Sequence, residues 1–182
     1  MNKILTVVML VVVCLAATAS GFNGQRRGFV LGGGLGIAAD SKYEADVLDA
    51  NWESNGAGLG ASFVIGGCFD GMNMLVYEGN VTSWKDDLLD ENISQGFNGA
   101  AWYHYYGQPG KSAFTTAGLG FYVFQAEHYE DNDPGFGMLL GGGYEFARHW
   151  QVGGYLSFGS TSSAGVNFNH HHISVLVSGI AF

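Results

Sequence analysis

The chain has little charge, almost no proline and no basis for a disulfide framework. Only 13% of its 182 residues are charged, and it holds 2 prolines and 2 cysteines. One cysteine, Cys14, lies in the leader. Cys68 then stands alone and can close no internal disulfide. After the leader no apolar run reaches the roughly 18 residues that a spanning helix needs, so helical membrane crossing is excluded. Cations are scarce, with 7 Lys and Arg against 16 Asp and Glu. The net charge of -9 argues against nucleic acid as a partner.

Glycine and aromatic residues are abundant, with 30 glycines and an aromatic share of 14%. Glycine-rich disordered chains lack aromatic and apolar residues. Here glycine is interleaved with Phe, Tyr, Leu and Val, which reads as strand. Residues 1–19 read as a secretory signal peptide: Lys3 supplies the charge, Ile4 to Leu15 the short apolar run, and Ala17-Thr18-Ala19 the cleavage site. Cys14 follows Val13 rather than a small residue, so a lipid anchor is not expected. Residues 20–182 are expected to form one domain.

Eight strands are predicted, at 27–38, 56–66, 72–83, 94–106, 112–124, 135–146, 150–160 and 170–182. Several alternate with period two. In the first, Phe29, Leu31, Gly33, Leu35 and Ile37 share one face, and Val30, Gly32, Gly34, Gly36 and Ala38 the other. In the second, Leu59, Ala61, Phe63 and Ile65 oppose Gly58, Gly60 and Ser62. In the sixth, Phe136, Met138, Leu140, Tyr144 and Phe146 oppose Gly137, Gly141, Gly143 and Glu145. Ten-residue alternating segments are the signature of a transmembrane barrel, the one structure other than a helix that satisfies its backbone in lipid. The large face should then meet lipid. Trp102, His104, Tyr122, Tyr155, Glu78 and Glu145 fall on the parity expected to point inward.

The connections alternate in length. Gly67–Gly71, Gly107–Lys111 and Ala147–His149 are short, whereas 39–55, 84–93, 125–134 and 161–169 are long. Short turns are expected at the periplasmic end and long loops outside. Phe29, Phe69, Tyr105, Tyr106, Phe146, Trp150 and Phe182 lie near the short-turn end, and Trp52, Trp84, Phe124 and Phe158 near the other. They are expected to form two aromatic girdles.

The acidic residues cluster. Asp40, Glu44, Asp46, Asp49 and Glu53 fall in the first long loop, Asp86, Asp87, Asp90 and Glu91 in the second, and Glu127, Glu130, Asp131 and Asp133 in the third. This predicts an acidic outer crown with three readings: a solvated rim, divalent cations bridging to anionic lipid headgroups, or a dock for a basic partner. Asp131-Asn-Asp133 resembles part of a calcium loop, but Pro134 and the lack of a later bidentate Glu spoil the spacing.

No residue set is assigned a catalytic, cofactor-binding or metal-binding role. His170-His171-His172 and His128 carry imidazoles, but at most two of three consecutive strand histidines converge. His172 and Ser174 share a strand face and have the His-x-Ser spacing of outer-membrane lipid A deacylases. No carboxylate follows them to orient the base. Glu78 and Glu145, if interior, need partners, and Arg26, Arg27, Lys111 and Arg148 are the available cations.

The chain ends on Phe182, closing a strand-like run from His172. With its leader and alternating segments, from Gly28 to Gly36 and through Gly141 to Trp150, it resembles the small outer-membrane barrels of OmpA/OmpX type. The resemblance implies an all-β, eight-stranded antiparallel up-and-down transmembrane barrel in the outer membrane of a Gram-negative cell. It also implies partners in outer-membrane lipids and the outer-membrane assembly machinery, and a structural or surface-interaction role. A lipid A-modifying enzyme and a soluble lipocalin-like binding barrel are the alternatives.

Overall fold

The computed structural model describes residues 25–47, 50–86, 91–126, 133–163 and 166–182. For 39–40, 42–47, 50–55, 86, 163 and 166 it describes the backbone alone. The segment expected to be a signal peptide, His128 and the middle of the third loop lie outside the described residues.

Eight antiparallel strands close into one barrel with each strand paired to its sequence neighbours, and β1 to β8. They are β1 Gly28–Val47, β2 Ala50–Cys68, β3 Asn73–Asp86, β4 Glu91–Tyr105, β5 Ser112–Ala126, β6 Asp133–Ala147, β7 Trp150–Ser163 and β8 Val166–Ala181. Pairing followed once round the wall runs from Gly32 through Val64, Glu78, Gly99, Gly120, Gly137, Gly159 and His170. It returns to β1 at Tyr43, eleven positions from its start and across a bulge after Ala38. That stagger tilts the strands, as closure of so few strands requires.

The strands outrun the predicted ones. The segment read as a first long loop, 39–55, is mostly paired strand: Ser41 faces Gly56 and Val47 faces Ala50. The other three long loops shorten likewise, since β3 runs to Asp86 and β4 starts at Glu91, β5 runs to Ala126 and β6 starts at Asp133, and β7 runs to Ser163 and β8 starts at Val166. A strand needs only about 9–11 residues to cross a bilayer. The excess stands beyond the apolar belt, where outward residues such as Ser83, Lys85, Asn92 and Gln125 are polar while Trp84, Ile93 and Ala126 are buried, so the alternation of the belt no longer holds.

The exterior is an apolar belt. Leu59, Ile37, Phe136 and Leu119 are 74%, 61%, 60% and 58% exposed, and Phe63, Leu140, Val152, Val175 and Val177 join them. The large faces predicted on β1, β2 and β6 all point out. A soluble barrel would hide them, so the wall is built to stand in lipid.

Aromatic side chains fill the lumen against inward glycines. A Cβ at Gly159 would run into the Tyr122 ring, and one at Gly56 into the Trp84 indole. Phe97, Tyr103, Tyr105, Phe114, Tyr122 and Tyr155 are all buried.

Several side chains point the other way from the orientation that their sequence parity predicts. Trp102 points outward and His104 is half-buried on the same outer face, because β4 turns Phe97, Ala101, Tyr103 and Tyr105 inward instead. Trp84 was expected in the outer girdle. It is buried in the lumen mouth with Ile93 and Ala126, and Phe124 packs against that cluster. Tyr105 and Phe182 were expected in the short-turn girdle and are also interior, 1% and 2% exposed. The girdle at that end consists instead of Phe29, Phe69, Tyr106, Phe146 and Trp150, all exposed. Trp102 joins them from β4: its Nε1 donates to Asn73 Oδ1 at 3.1 Å, with the His104 ring tilted against it and Tyr106 edge-on to His104.

Candidate functional site

The lumen is lined by polar groups in two tiers. The first closes the short-turn end. Arg26 precedes β1 and is 1% exposed. Its Nε and Nη2 donate to Glu145 Oε2 of β6 at 3.1 and 2.6 Å. Its Nη1 donates to the carbonyls of Gly71 and Gly107, one in each of two neighbouring turns, both at 3.0 Å. The guanidinium lies 4.0 Å from the Tyr105 ring centre. The other oxygen of Glu145 accepts from Gly110 N at 2.9 Å. Cys68 Sγ donates to the Arg26 carbonyl. One residue thus ties β2, β4, β6 and two turns together. Of the four candidate cations, Arg26 is the one that pairs with an interior carboxylate, as the buried charges require.

Above it, Tyr105 OH donates to Gln151 Oε1, and Tyr103 OH donates to Glu78 Oε2, each at 2.8 Å. Glu78 is buried as expected. It has no cation beside it among the described residues, and its Oε1 has no hydrogen-bond partner. Rings of Tyr103, Tyr105 and Phe114 pack 5.5–6.4 Å apart across this level.

The second tier fills the loop-side half. His170 and His172 point in and His171 does not, so two of the three imidazoles converge as expected. His172 Nε2 donates to Asn80 Oδ1 at 3.2 Å, which leaves the single lone pair of Nδ1 facing the Tyr122 and Ser157 hydroxyls, 2.9 and 2.8 Å away. His170 Nδ1 donates to Gln95 Oε1 at 3.1 Å, and its Nε2 accepts from Thr161 Oγ1 at 2.8 Å. Its ring stacks on Tyr122 and Phe124, 5.2 and 4.9 Å away. These imidazoles are pillars of the plug, held inside the lumen. Both nitrogens of each are engaged, and no group of three or more His, Cys, Asp or Glu gathers among the described residues.

Ser174 is buried on the lumen side, and its Oγ makes no hydrogen bond. His172 is held by two hydroxyls and an amide, not by a carboxylate. The two residues share a face, as read from the spacing, without forming a nucleophile and its base. Of the acidic crown the structure describes few side chains. Asp133 is exposed and Glu91 is half-buried. The remainder lies on backbone-only or undescribed residues.

No family model matches the chain, and no curated protein matches it in sequence. Solved structures match it in fold. Ail, the attachment invasion locus protein of Yersinia pestis, is similar over 84% of this chain and 99% of its own, with 10% identity and a TM-score of 0.50. The chain has the fold of the small eight-stranded outer-membrane barrels. Neisserial surface protein A is similar over 84% of this chain and 96% of that one, with 13% identity and a TM-score of 0.47. Outer membrane protein AlkL, solved in lipid bilayers, is similar over 85% and 90%, with 10% identity and a TM-score of 0.48. At such identities the likeness is one of fold.

Proposed function

We propose that this protein is an integral outer-membrane barrel that acts through its acidic outer loops, in a structural or surface-interaction role. The filled lumen carries this reading. Arg26 and Glu145 close one end, and aromatic and histidine side chains occupy the rest, so the barrel offers a rigid wall rather than a passage. All of the 16 acidic residues except Asp70, Glu78 and Glu145 belong to the loop side in sequence. A wall that holds several short loops at the cell surface presents them as a binding face. Divalent cations bridging the carboxylates to anionic headgroups, or a basic partner, are the chemistry that such a crown takes up.

Calorimetric titration of the micellar protein with Ca²⁺ alone tests the reading. Asp86→Asn, Asp87→Asn, Asp90→Asn and Glu91→Gln together should remove part of the Ca²⁺ uptake and of the salt-sensitive binding of a lysine-rich peptide. Uptake of both at wild-type levels in that variant would end the proposal.

A further inference from the structure

The cations sort to the end opposite the carboxylates. Apart from Lys3 in the leader and Lys42 and Lys85 on the loop side, the chain has Arg26, Arg27, Lys111 and Arg148. Arg26 is consumed inside the barrel by Glu145. Arg27, Lys111 and Arg148 are exposed at the short-turn end, and no ion pair holds any of them among the described residues. The one exposed side-chain carboxylate there among the described residues, Asp70, is turned into its own turn, where it accepts from Met72 N and from the backbone and side-chain nitrogens of Asn73. That rim is therefore net positive on a protein of net charge -9.

Two of these cations are brought side by side. The β4–β5 turn is bound to the end of β6 through Gly110 N and Glu145 Oε1. Gly110 packs so closely on the β6–β7 turn that a Cβ there would lie 3.1 Å from Arg148 N. Lys111 and Arg148 thus occupy touching turns. Arg148 sits two residues from each of Phe146 and Trp150, lipid-facing aromatics that are 51% and 52% exposed.

We propose that Lys111 and Arg148 form a headgroup site for an anionic phospholipid of the periplasmic leaflet. The phosphate would lie between ammonium and guanidinium, with the glycerol and upper acyl chain against Trp150 and Phe146. Adjacent like charges at the bilayer surface call for an anion, and the flanking aromatics make that anion part of a lipid. Arg27 adds to the field from the same rim. Each basic side chain at an anionic surface contributes about 1 kcal/mol, or about five-fold in association.

Native mass spectrometry of the folded protein, released from micelles doped with phosphatidylglycerol or phosphatidylcholine, reads the site directly. Wild type should retain phosphatidylglycerol in preference, and 0.5 M NaCl before desalting should abolish that preference. Lys111→Gln with Arg148→Gln should lower phosphatidylglycerol retention by about twenty-five-fold, while Lys111→Arg with Arg148→Lys and the opposite-end Lys85→Gln keep it. Equal retention of the two lipids by wild type would overturn the proposal. So would a preference indifferent to salt, or one that survives the double glutamine variant. The salt series uses wild type alone, so the test stands even where a variant does not fold.

Discussion

Removing Arg26 should cost the barrel more than any single substitution on its surface. Arg26→Ala takes away two hydrogen bonds to Glu145, two to turn carbonyls and a stacked contact with Tyr105. It also leaves Glu145, 2% exposed, with Gly110 N as its one remaining donor among the described residues. Breaking a buried pair from one side typically costs about 3–5 kcal/mol, because the abandoned charge stays desolvated. The carbonyls of Gly71 and Gly107 lose a donor as well, so the upper half of that range is expected. With a urea slope near 2 kcal/mol per molar, the unfolding midpoint should fall by about 2 M. The assay is equilibrium unfolding in lipid vesicles, followed by tryptophan fluorescence and by gel mobility without boiling. Glu145→Gln in the Arg26→Ala background should recover a large part of the loss, and the two substitutions should couple strongly in a double-mutant cycle. A loss below about 1 kcal/mol, the level of an exposed pair, or strict additivity of the two changes, would refute the view that this pair locks the closed end.

Three further outcomes follow from the same geometry. Leu119→Arg, in the middle of the lipid-facing belt, should cost about 2–4 kcal/mol, and Phe146→Arg at its edge about 0–1; the same vesicle unfolding assay checks the ratio. Gly159→Leu should destabilise by about 1–3 kcal/mol through collision with Tyr122. Tyr122→Ala beside it should relieve most of that, and no relief would mean that the lumen is not packed as described. At the β2–β3 turn, the Asn73 side chain and then the Met72 and Asn73 backbone N–H groups hold the Asp70 carboxyl below the usual carboxylate range. Its contribution is therefore present above the unfolded pKa and lost as pH falls through the lowered folded one. Hydrogen exchange should find the Met72 and Asn73 amides protected through the ordinary carboxylate range and released only below it, whereas Asp70→Ala leaves them open throughout.

Much of the wall was legible because lipid and lumen impose opposite demands on alternate residues. Gly32, Gly34 and Gly36 against Leu35 and Ile37 declare both the strand and its orientation. That signal fails where the demands vanish. Beyond the belt, β1 and β2 pair from Ser41 and Gly56 up to Val47 and Ala50, but Glu44, Asp46 and Glu53 interrupt the apolar pattern there, so paired strand reads as loop. It fails again on β4, where Trp102, Tyr103, Tyr105 and Tyr106 place rings on both faces. Parity there is decided by which rings find glycine opposite: Gly99 and Gly118 leave room for the inward Phe97 ring. Trp84 is interior for the same reason, through Gly56.

The interior carboxylates were foreseen as interior, but their partners were not. Four cations were candidates for Glu145, and Arg26 lies 119 positions away along the chain. Only closure of β1 on β8 brings it beneath β6. The roles of His170 and His172 were hidden similarly, since Gln95, Asn80, Tyr122 and Ser157 come from four other strands. A triple-histidine segment carries no mark of the amides and hydroxyls that will surround it.

The central claim is that the apolar face meets lipid while the lumen is filled and closed. Fractionation of cell envelopes followed by gel electrophoresis with and without boiling tests it most directly. The protein should sediment with the outer membrane, need detergent for release, and migrate differently until heated because its hydrogen-bonded wall survives the dodecyl sulfate. A protein recovered soluble without detergent and showing one mobility at every temperature would contradict it.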